Sequence, residues 1–279
     1  MVRRKRRILL AAALVGLAAL LAWLYVTNTA ISVTHYAVTS EALPEAFDGF
    51  VVAQVSDLHN AEFGEGSAQL LDRLRAASPD LIAVTGDLID ARRTDVGAAM
   101  AFIRGAVEIA PVYYVAGNHE ARSDAFESLE AQLIEAGVHV LRNEGESIER
   151  GGASLWIAGL NDPAFASGTD PASLIAPNGF TLLLSHRPEL FEDYCDAGAH
   201  LVLTGHAHGG QVRLPWLGGL YAPNQGILPE YDAGRFESGD TVMIVSRGLG
   251  NSAFPIRVNN PPELVVVELR AGEPHDASE

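Results

Sequence analysis

Histidine and aspartate residues recur in short pairs in the central part of the sequence. Asp57 and His59 are separated by one residue, and so are His206 and His208 in the segment GHAHGG (205–210). Alternate residues of an extended segment point to the same side, so each pair can reach one common target. Imidazole and carboxylate groups bind transition metals. The segment therefore favours a metal or phosphate site over a glycine-rich turn that holds two solvated histidines.

Further polar residues of the same kinds follow other apolar runs. Asp87 and Asp90 lie in TGDLID, Asn118 and His119 lie in AGNHE, and His186 lies in SHRPE. Each of these segments comes directly after a predicted strand. Because polar groups at the carboxyl ends of strands in an α/β sheet converge on one crevice, the set predicts a single site.

Seven of these residues have the donor atoms of metal ligands, and none of them offers sulfur. They are Asp57, His59, Asp87, Asn118, His186, His206 and His208. One ion would leave several ligands unused, whereas two ions that share a carboxylate would use all seven. Imidazole with carboxylate suits Mn²⁺, Fe or Zn²⁺ better than Ca²⁺ or Mg²⁺. Two such ions about 3.5–4 Å apart can hold both oxygens of an in-line displacement at phosphorus and generate hydroxide at neutral pH.

The elements that must position these residues follow from the spacing of apolar residues. Short β-branched runs alternate with helical patterns in the first half, over residues 50–56, 66–77, 81–85, 95–109, 112–115 and 123–137. The second half consists mostly of strand-like runs, over residues 138–141, 146–150, 153–158, 180–185, 200–204, 209–213, 241–246 and 264–269. This order predicts an α/β fold with two packed sheets and helices outside them.

Composition and charge exclude several classes of protein. The 279 residues are 48% hydrophobic, which is enough for one large domain with its own core. The single cysteine, Cys195, excludes an intrachain disulfide and a cysteine-based metal cluster. Residues 8–279 carry 14 basic and 35 acidic side chains, a formal charge of −21. A body this acidic repels a phosphate backbone, so nucleic acid is not the expected partner.

The amino-terminal segment has the pattern of a membrane anchor. The basic stretch RRKRR (3–7) precedes residues 8–26, which contain no charged side chain and are long enough, as a helix, to cross a bilayer. Trp23 and Tyr25 lie near the far end, where aromatic rings favour the interface. Basic residues stay on the cytoplasmic side, so the following domain is expected outside the cytoplasm. A cleaved signal peptide and export by a twin-arginine signal are the alternatives.

The sequence thus divides into four parts. Residues 1–26 are the predicted cytoplasmic basic segment and transmembrane anchor, and residues 27–49 are a predicted linker. Residues 50–270 form the predicted catalytic domain, and residues 271–279 form a tail.

The motifs of the catalytic domain resemble those of the calcineurin-like metallophosphoesterase superfamily. The resemblance rests on D-x-H, G-D-x-x-D, G-N-H-E, S-H and G-H-x-H, in this order and at this approximate spacing, over residues 50–270. The segments GHAHGGQVRLP (205–215), PEYDAG (229–234) and SRGLGNSAFPIRVNNPPE (246–263) are similar to the membrane-associated bacterial YkuE-like branch. Relatives in that branch include hydrolases of UDP-2,3-diacylglucosamine. The resemblance implies a four-layer αββα sandwich of two mixed β-sheets flanked by helices, preceded by one transmembrane helix.

The resemblance also implies a role for each site residue. The metal ligands would be Asp57, His59 and His208 for the first ion, Asp87 as the bridge, and Asn118, His186 and His206 for the second ion. His119 would be the general acid that faces the leaving group, and Asp90 would orient it. Many members have an arginine directly after that aspartate, whereas here Ala91 follows and Arg92 comes one place later. A phosphate-binding role for Arg92 and a place on the solvated surface therefore both stay open.

These observations predict a membrane-anchored dimetal phosphoesterase, with manganese, zinc or iron as the metal. Its substrate would contain a phosphodiester, phosphomonoester or pyrophosphate bond, in a lipid-linked or nucleotide-sugar compound such as a lipid A precursor. A phosphoprotein phosphatase, a nuclease and a non-catalytic membrane-tethered binding module are the alternatives. The acidic charge disfavours the nuclease, and the complete ligand set disfavours the binding module.

One apolar segment lies just beyond the last metal-binding motif. RLPWLGGLYAP (213–223) contains Trp216, Leu217, Leu220 and Tyr221. These side chains could contact acyl chains or the membrane interface, or they could belong to an ordinary β-hairpin that packs on the core. A catalytic domain outside the cytoplasm would be separated from cytosolic lipid A intermediates, so the predicted orientation and that substrate disagree.

Overall fold

A computed structural model describes residues 2–165, 169–251 and 253–273. Its α-helices are α1 (Val2–Thr29), α2 (Ala68–Ala77), α3 (Val96–Ala106), α4 (Asn118–Ala121), α5 (Phe126–Glu135) and α6 (Phe191–Ala197). Its strands are β1 (Ser32–Ser40), β2 (Phe50–Val55), β3 (Leu81–Thr85), β4 (Val112–Val115), β5 (His139–Val140), β6 (Glu144–Arg150), β7 (Ala153–Gly159), β8 (Thr181–Leu184), β9 (Leu201–Thr204), β10 (Arg213–Leu214), β11 (Gly218–Gly219), β12 (Tyr221–Ala222), β13 (Gly226–Ile227), β14 (Gly234–Ser238), β15 (Thr241–Val245) and β16 (Glu263–Ala271). Residues 274–279 of the predicted tail lie outside the described residues.

Two six-stranded sheets form the body of the protein. The strand order of the first sheet is β1-β16-β2-β3-β4-β5, and that of the second is β14-β15-β9-β8-β7-β6. Both sheets are mixed: β2, β3 and β4 run parallel, while β16 is antiparallel to β2. In the second sheet β7, β8, β9 and β15 run parallel, with an antiparallel strand at each edge. The predicted α/β class with two mixed sheets is confirmed.

The core lies in three apolar layers, as the alternation of side chains in the strands dictates. In β8, Leu182 and Leu184 pack between the two sheets, and Leu183 faces the opposite way, into the layer under α6. The outer face of the first sheet packs against α2, α3 and α5, for example through Leu74 and Phe102. Because successive residues of a strand point to opposite faces, each sheet contributes to two layers. Helices outside two sheets give the predicted four-layer arrangement.

The predicted linker over residues 27–49 contains a strand. All nine residues of β1 pair in parallel with β16, at the edge of the first sheet. The segment SVTHYAVTS lacks a continuous apolar run because, at this edge, only Val38 is fully buried. The sequence pattern was therefore too weak to show that this segment belongs to the sheet.

The predicted strand over residues 209–213 is wrong. Residues His208–Gly210 form a 3₁₀ turn, in which Gly209 and Gly210 have φ values of 61° and 70°, and β10 begins only at Arg213. Such left-handed backbone is accessible to glycine at little cost and does not continue a strand. The turn is followed by two short hairpins, β10–β11 and β12–β13, which extend beyond the second sheet.

Helix α1 lies outside the apolar core. Its segment Arg3–Thr29 is long and apolar enough, by length and composition, to cross a membrane, and its most apolar window is not buried. The end of α1 is nevertheless fixed to the body. The side-chain amide of Asn28 donates to the carbonyl of Arg257 (2.9 Å), and its carbonyl oxygen accepts from the Arg257 amide (2.7 Å).

Candidate metal centre

The carboxyl ends of five strands bring the seven predicted ligands together. Strands β2, β3 and β4 of the first sheet and β8 and β9 of the second point toward the same crevice between the sheets. All seven side chains are buried there: Asp57, His59, Asp87, Asn118, His186, His206 and His208. The site thus contains residues that lie up to 151 positions apart in the chain, and the sheets bring them into one place.

The first cluster consists of Asp57, His59 and His208. One donor atom from each residue lies within 4.8 Å of the others. His208 Nε2 is 3.3 Å from Asp57 Oδ1 and 3.1 Å from His59 Nε2. Two imidazole nitrogens and a carboxylate oxygen converge on one point, which is the arrangement that a divalent transition metal requires.

The second cluster consists of Asp87, His186 and His206, again with donor atoms within 4.8 Å. His186 Nε2 lies 3.2 Å from Asp87 Oδ2 and 3.2 Å from His206 Nδ1. The same Asp87 oxygen is 3.6 Å from His59 Nε2, in the first cluster. Asp87 therefore lies between the two clusters, where a bridging carboxylate would be.

Asn118 completes the donor set. Its Oδ1 atom is buried and has no hydrogen-bond partner among the described residues. A buried amide oxygen without a partner is costly, because it has lost its contacts with water. The side chain lines the same cleft as Asp87 and His206. A divalent cation would satisfy this oxygen, so the donor chemistry of the site fits two ions.

Burial and mutual contact set the protonation of the ligands. Burial lowers the pKa of both His59 and His206 to about 3, which leaves these rings neutral with a lone pair to share. Burial also favours the neutral form of His186, but the adjacent Asp87 carboxylate outweighs it and raises the pKa of His186 to about 10. Conversely, burial opposes ionisation of Asp87, yet contact with His186 holds its pKa well below the usual range.

The ligand backbone is strained. Five of the seven predicted ligands have positive φ values: Asp57 (51°), His59 (46°), Asp87 (51°), His206 (65°) and His208 (50°). Left-handed backbone is uncommon outside glycine and costs on the order of 1–3 kcal/mol per residue. It lets the chain turn immediately after each strand, so that residues next to the sheet can reach the same point.

Glu120 holds the loops that carry the ligands, and the sequence analysis gave it no role. Its Oε2 atom accepts hydrogen bonds from the amides of Gly117 (2.8 Å) and Asp87 (2.9 Å), and its Oε1 atom accepts from the Ile89 amide (3.1 Å). Burial raises the pKa of this carboxyl to about 7. Its position in GNHE was visible, but two of its three partners, Asp87 and Ile89, lie more than 30 residues away and could not be read from local spacing.

Further residues that the sequence analysis missed surround His206. Its Nε2 atom lies 3.1 Å from Asn224 Oδ1, in the β12–β13 hairpin, which leaves Nδ1 facing the cluster. Arg187 Nη1 is 2.9 Å from the same Nε2 atom, and the Arg187 guanidinium is paired with buried Asp162. After burial and His186, this positive charge also lowers the pKa of His206. Such partners fix the orientation of a metal-binding histidine.

His119 and Asp90 lie beside the ligands, as predicted, but their contact differs from the expected one. The amide of Ala91 donates to His119 Nδ1 (3.0 Å), whereas Asp90 Oδ1 is 3.8 Å from that nitrogen. Because Nδ1 accepts, the neutral ring carries its proton on Nε2. His59, Asp90 and His119 also form a third group with donor atoms within 4.8 Å, which shares His59 with the first cluster.

A cleft of about 690 Å³ opens above the clusters. Asp87, Asn118, His206 and His208 form part of its lining together with His119. The rest of its lining includes cationic and apolar side chains, among them Arg92, Arg122, Val212, Leu220, Tyr221 and Phe254. The predicted acid and four of the seven predicted ligands thus face one common space that a substrate could enter.

Residues 50–210 match the sequence profile of the calcineurin-like phosphoesterase family. This chain belongs to the calcineurin-like phosphoesterase family. It is a metal-dependent phosphoesterase, as the motifs predicted, and its clusters could hold the two ions of a dinuclear centre.

Individual relatives of this phosphoesterase support the same assignment. The uncharacterized metallophosphoesterase YkuE of Bacillus subtilis is 29% identical over 254 residues, covering 88% of each chain. Phosphodiesterase YaeI of Escherichia coli is 30% identical over 227 residues, covering 79% of this chain and 82% of YaeI. A transmembrane protein with a metallophosphoesterase domain from Bos taurus is 26% identical over 260 residues, covering 86% of this chain and 57% of the bovine protein. The predicted similarity to YkuE is confirmed.

The bridging position predicts that one substitution lowers the metal content of the whole centre. Asp87→Asn should leave at most one equivalent of metal per chain, where we expect the parent protein to bind two, because the neutral amide cannot offset the charge of two cations. Elemental analysis of the purified full-length protein measures this content. Asp72→Asn, at an exposed carboxylate, is the matched control. Retention of two ions by Asp87→Asn would remove Asp87 from the bridge.

Close packing behind Asp57 predicts a second sensitive position. A methyl group on Gly205 would collide with Ser56 Oγ and Asp57 Oδ2. Gly205→Ala should therefore displace the Asp57 carboxylate and lower metal content without removing any ligand. Gly16→Ala, where nothing lies within 4 Å of the added carbon, is the control. Unchanged metal content and thermal stability in Gly205→Ala would contradict this prediction.

Proposed function

We propose that this phosphoesterase is a membrane-anchored dimetal hydrolase of lipid-linked phosphodiesters or pyrophosphates. The observation that carries the proposal is the burial of six candidate ligands in two clusters joined at Asp87, with Asn118 beside them, next to a cleft that has apolar side chains in its lining. The E. coli relative is named a phosphodiesterase, which favours an ester with two substituents on phosphorus. The metal would be manganese, zinc or iron, because the donors are imidazole nitrogens and carboxylate or amide oxygens.

Different residues of the chain would hold the ions and attract the phosphate group. Two divalent ions, when bound, would supply charge to stabilise the transition state and would lower the pKa of a water molecule. Asp57, His59 and His208 would hold one ion, and Asn118, His186 and His206 would hold the other, with Asp87 between them. Arg92 and Arg122 lie on the wall of the cleft, where their charge can attract the phosphate oxygens.

His119 is the proposed general acid. In its imidazolium form the ring can give the Nε2 proton to the departing oxygen and become neutral. The Nδ1 atom, which accepts from the Ala91 amide in the neutral Nε2–H ring, carries a proton in that form. A water molecule that has lost one proton to solvent bonds through its oxygen to phosphorus as the P–O bond to the leaving group breaks, and the proton from His119 neutralises the departing alkoxide. Asp90, with Oδ1 3.8 Å from His119 Nδ1, would stabilise the ring when it is protonated.

Helix α1 is proposed to remain as an uncleaved anchor. Asn28, near the end of the helix, exchanges two hydrogen bonds with Arg257. Cleavage after this residue would remove a contact that the folded domain makes. The bovine relative is named a transmembrane protein. With RRKRR on the cytoplasmic side, the cleft would open outside the cytoplasm. This orientation favours an extracytoplasmic lipid-linked phosphate over UDP-2,3-diacylglucosamine, whose nucleotide is a cytosolic compound.

The alternative functions have weaker support. A nuclease would need a basic surface, whereas residues 8–279 have a formal charge of −21. A phosphoprotein phosphatase would not require the apolar side chains of Leu220, Tyr221 and Phe254 at the cleft. A binding module without turnover would not require the full set of seven buried ligands.

Replacement of the acid tests the assigned mechanism. His119→Ala should keep both ions but lower turnover about 10²–10⁴-fold for an alkyl leaving group, because an alkoxide needs the proton. The loss should be much smaller for p-nitrophenolate, which leaves without protonation. Rates on alkyl and p-nitrophenyl phosphodiesters measure this difference, with exposed His35→Ala as the control. Equal losses on both substrates would exclude His119 as the acid.

Removal of the metal tests the proposed class of reaction. Full-length protein treated with a chelator should lose activity on bis(p-nitrophenyl) phosphate, and Mn²⁺, Zn²⁺ or Fe²⁺ should restore it. A panel of lipid-linked diesters and pyrophosphates in vesicles then identifies the substrate class. Full activity in metal-free protein would overturn the proposed function.

Fractionation of cells tests the anchor. The chain should stay in the membrane after an alkaline carbonate wash, and its mass should include residues 1–30. Release of a soluble protein that lacks these residues would show a cleaved signal peptide instead.

A further inference from the structure

The two hairpins beyond β9 present an apolar surface to solvent. Together with the loop near the end of α1 they form what we call the apolar rim: Trp216, Leu217, Tyr221, Ile227, Leu228 and Phe254. The exposed fraction is 101% for Trp216, 77% for Ile227 and 63% for Leu217, and it exceeds one half for the others. Contiguous exposed apolar side chains of this size mark an interaction surface rather than ordinary scatter.

The rim is uncharged on a strongly acidic protein. Residues 214–229 and residues 248–256 contain no charged side chain. Elsewhere the body carries a large excess of carboxylates. Charged groups resist entry into a lipid interface, whereas Trp and Tyr rings favour it. The chemistry of this surface therefore fits the headgroup and upper acyl region of a bilayer.

The end of α1 places the rim close to the proposed membrane. Asn28 is hydrogen-bonded to Arg257, and Phe254 lies three residues before Arg257. Three residues of extended chain span at most about 10 Å. If α1 crosses the bilayer, its end and the Phe254 part of the rim lie near the same face. Because the rim lies close to the proposed membrane helix, a lipid surface is the partner that we expect it to contact.

The rim also borders the opening of the cleft. Tyr221 and Phe254 belong to both the rim and the lining of the cleft. The turn between β12 and β13 carries Asn224, which contacts the predicted ligand His206. An apolar chain in the bilayer could therefore pass Tyr221 and Phe254 while its phosphate group reaches the metal clusters.

We propose that the apolar rim docks into the bilayer interface, so that the cleft receives an amphiphilic phosphate directly from the lipid phase. This inference rests on the proposed function, because it needs α1 as an anchor and the clusters as the reaction site. It adds a second membrane contact, separate from α1, and a route by which the substrate enters.

Tryptophan fluorescence in the full chain tests the docking. The sequence has only three tryptophans: Trp23 in α1, Trp156, and Trp216 at the tip of the first hairpin. In Trp23→Phe protein reconstituted into phosphatidylcholine–phosphatidylglycerol vesicles, Trp216 should emit at a shorter wavelength than in water. Lipids brominated near the headgroup should quench roughly half of its emission, because the ring settles at that level. The Trp23→Phe/Trp216→Phe variant gives the background from Trp156, whose Nε1 donates to the Leu174 carbonyl.

Three outcomes separate the possibilities. Emission at the wavelength of exposed tryptophan, without quenching, would overturn the docking. A shift to shorter wavelength without quenching would also overturn it and would assign the surface to a second copy of the chain. After subtraction of the Trp156 background, the Trp216→Phe variant reports on Trp23. Quenching of Trp23 without quenching of Trp216 rejects only the docking of the rim. Absence of quenching at both positions rejects the anchor as well.

Kinetics supply an independent readout. Trp216 does not line the cleft, so Trp216→Ser should leave kcat and KM for soluble bis(p-nitrophenyl) phosphate unchanged. For a p-nitrophenyl phosphodiester with a long acyl chain in vesicles, KM should rise about tenfold, which corresponds to the loss of roughly 1.4 kcal/mol of binding. An equal change on both substrates would contradict entry from the lipid phase.

Discussion

The Asp87 carboxylate lies where the carboxyl ends of the two sheets meet, and the rest of the site depends on its position. One oxygen accepts from the His119 amide (2.8 Å), and the other faces both His186 and His59. The Asp87 amide is in turn held by Glu120. Because this residue touches both clusters and the loop of the proposed acid, a shift in it would disturb all three.

Much of this arrangement could be predicted from the sequence, since the strands β2, β3, β8 and β9 appear as short apolar runs and each is followed by a motif. The convergence of strand ends in an α/β sheet then brings the seven ligands together. What the sequence could not show are partners that only tertiary structure makes adjacent. Glu120 reaches amides in another loop, and Asn224 reaches His206 from a hairpin that has no metal-binding motif. Strand β1 could not be predicted from the apolar pattern, because an edge strand needs few buried side chains.

Arg257 connects the end of helix α1 with the segment that carries Asp57. It is fully buried, and its guanidinium donates to the carbonyls of Arg247 and Gly250 and to Asn251 Oδ1. Gly250 donates in turn to the Asp57 carbonyl (2.7 Å). A short chain of hydrogen bonds thus runs from Asn28 to a predicted ligand. Burial lowers the pKa of Arg257 to about 10, so the side chain keeps its charge at neutral pH.

The left-handed backbone at five of the ligands narrows the choice of amino acid there. Aspartate, asparagine and histidine tolerate this conformation better than most residues. Their side chains are also short, so that the main chain closely determines where the donor atom lies. Glutamate and cysteine bind the same metals, but neither is favoured at such φ values. At these five positions the shape of the main chain thus favours aspartate and histidine, independently of the preference that a bound ion would add.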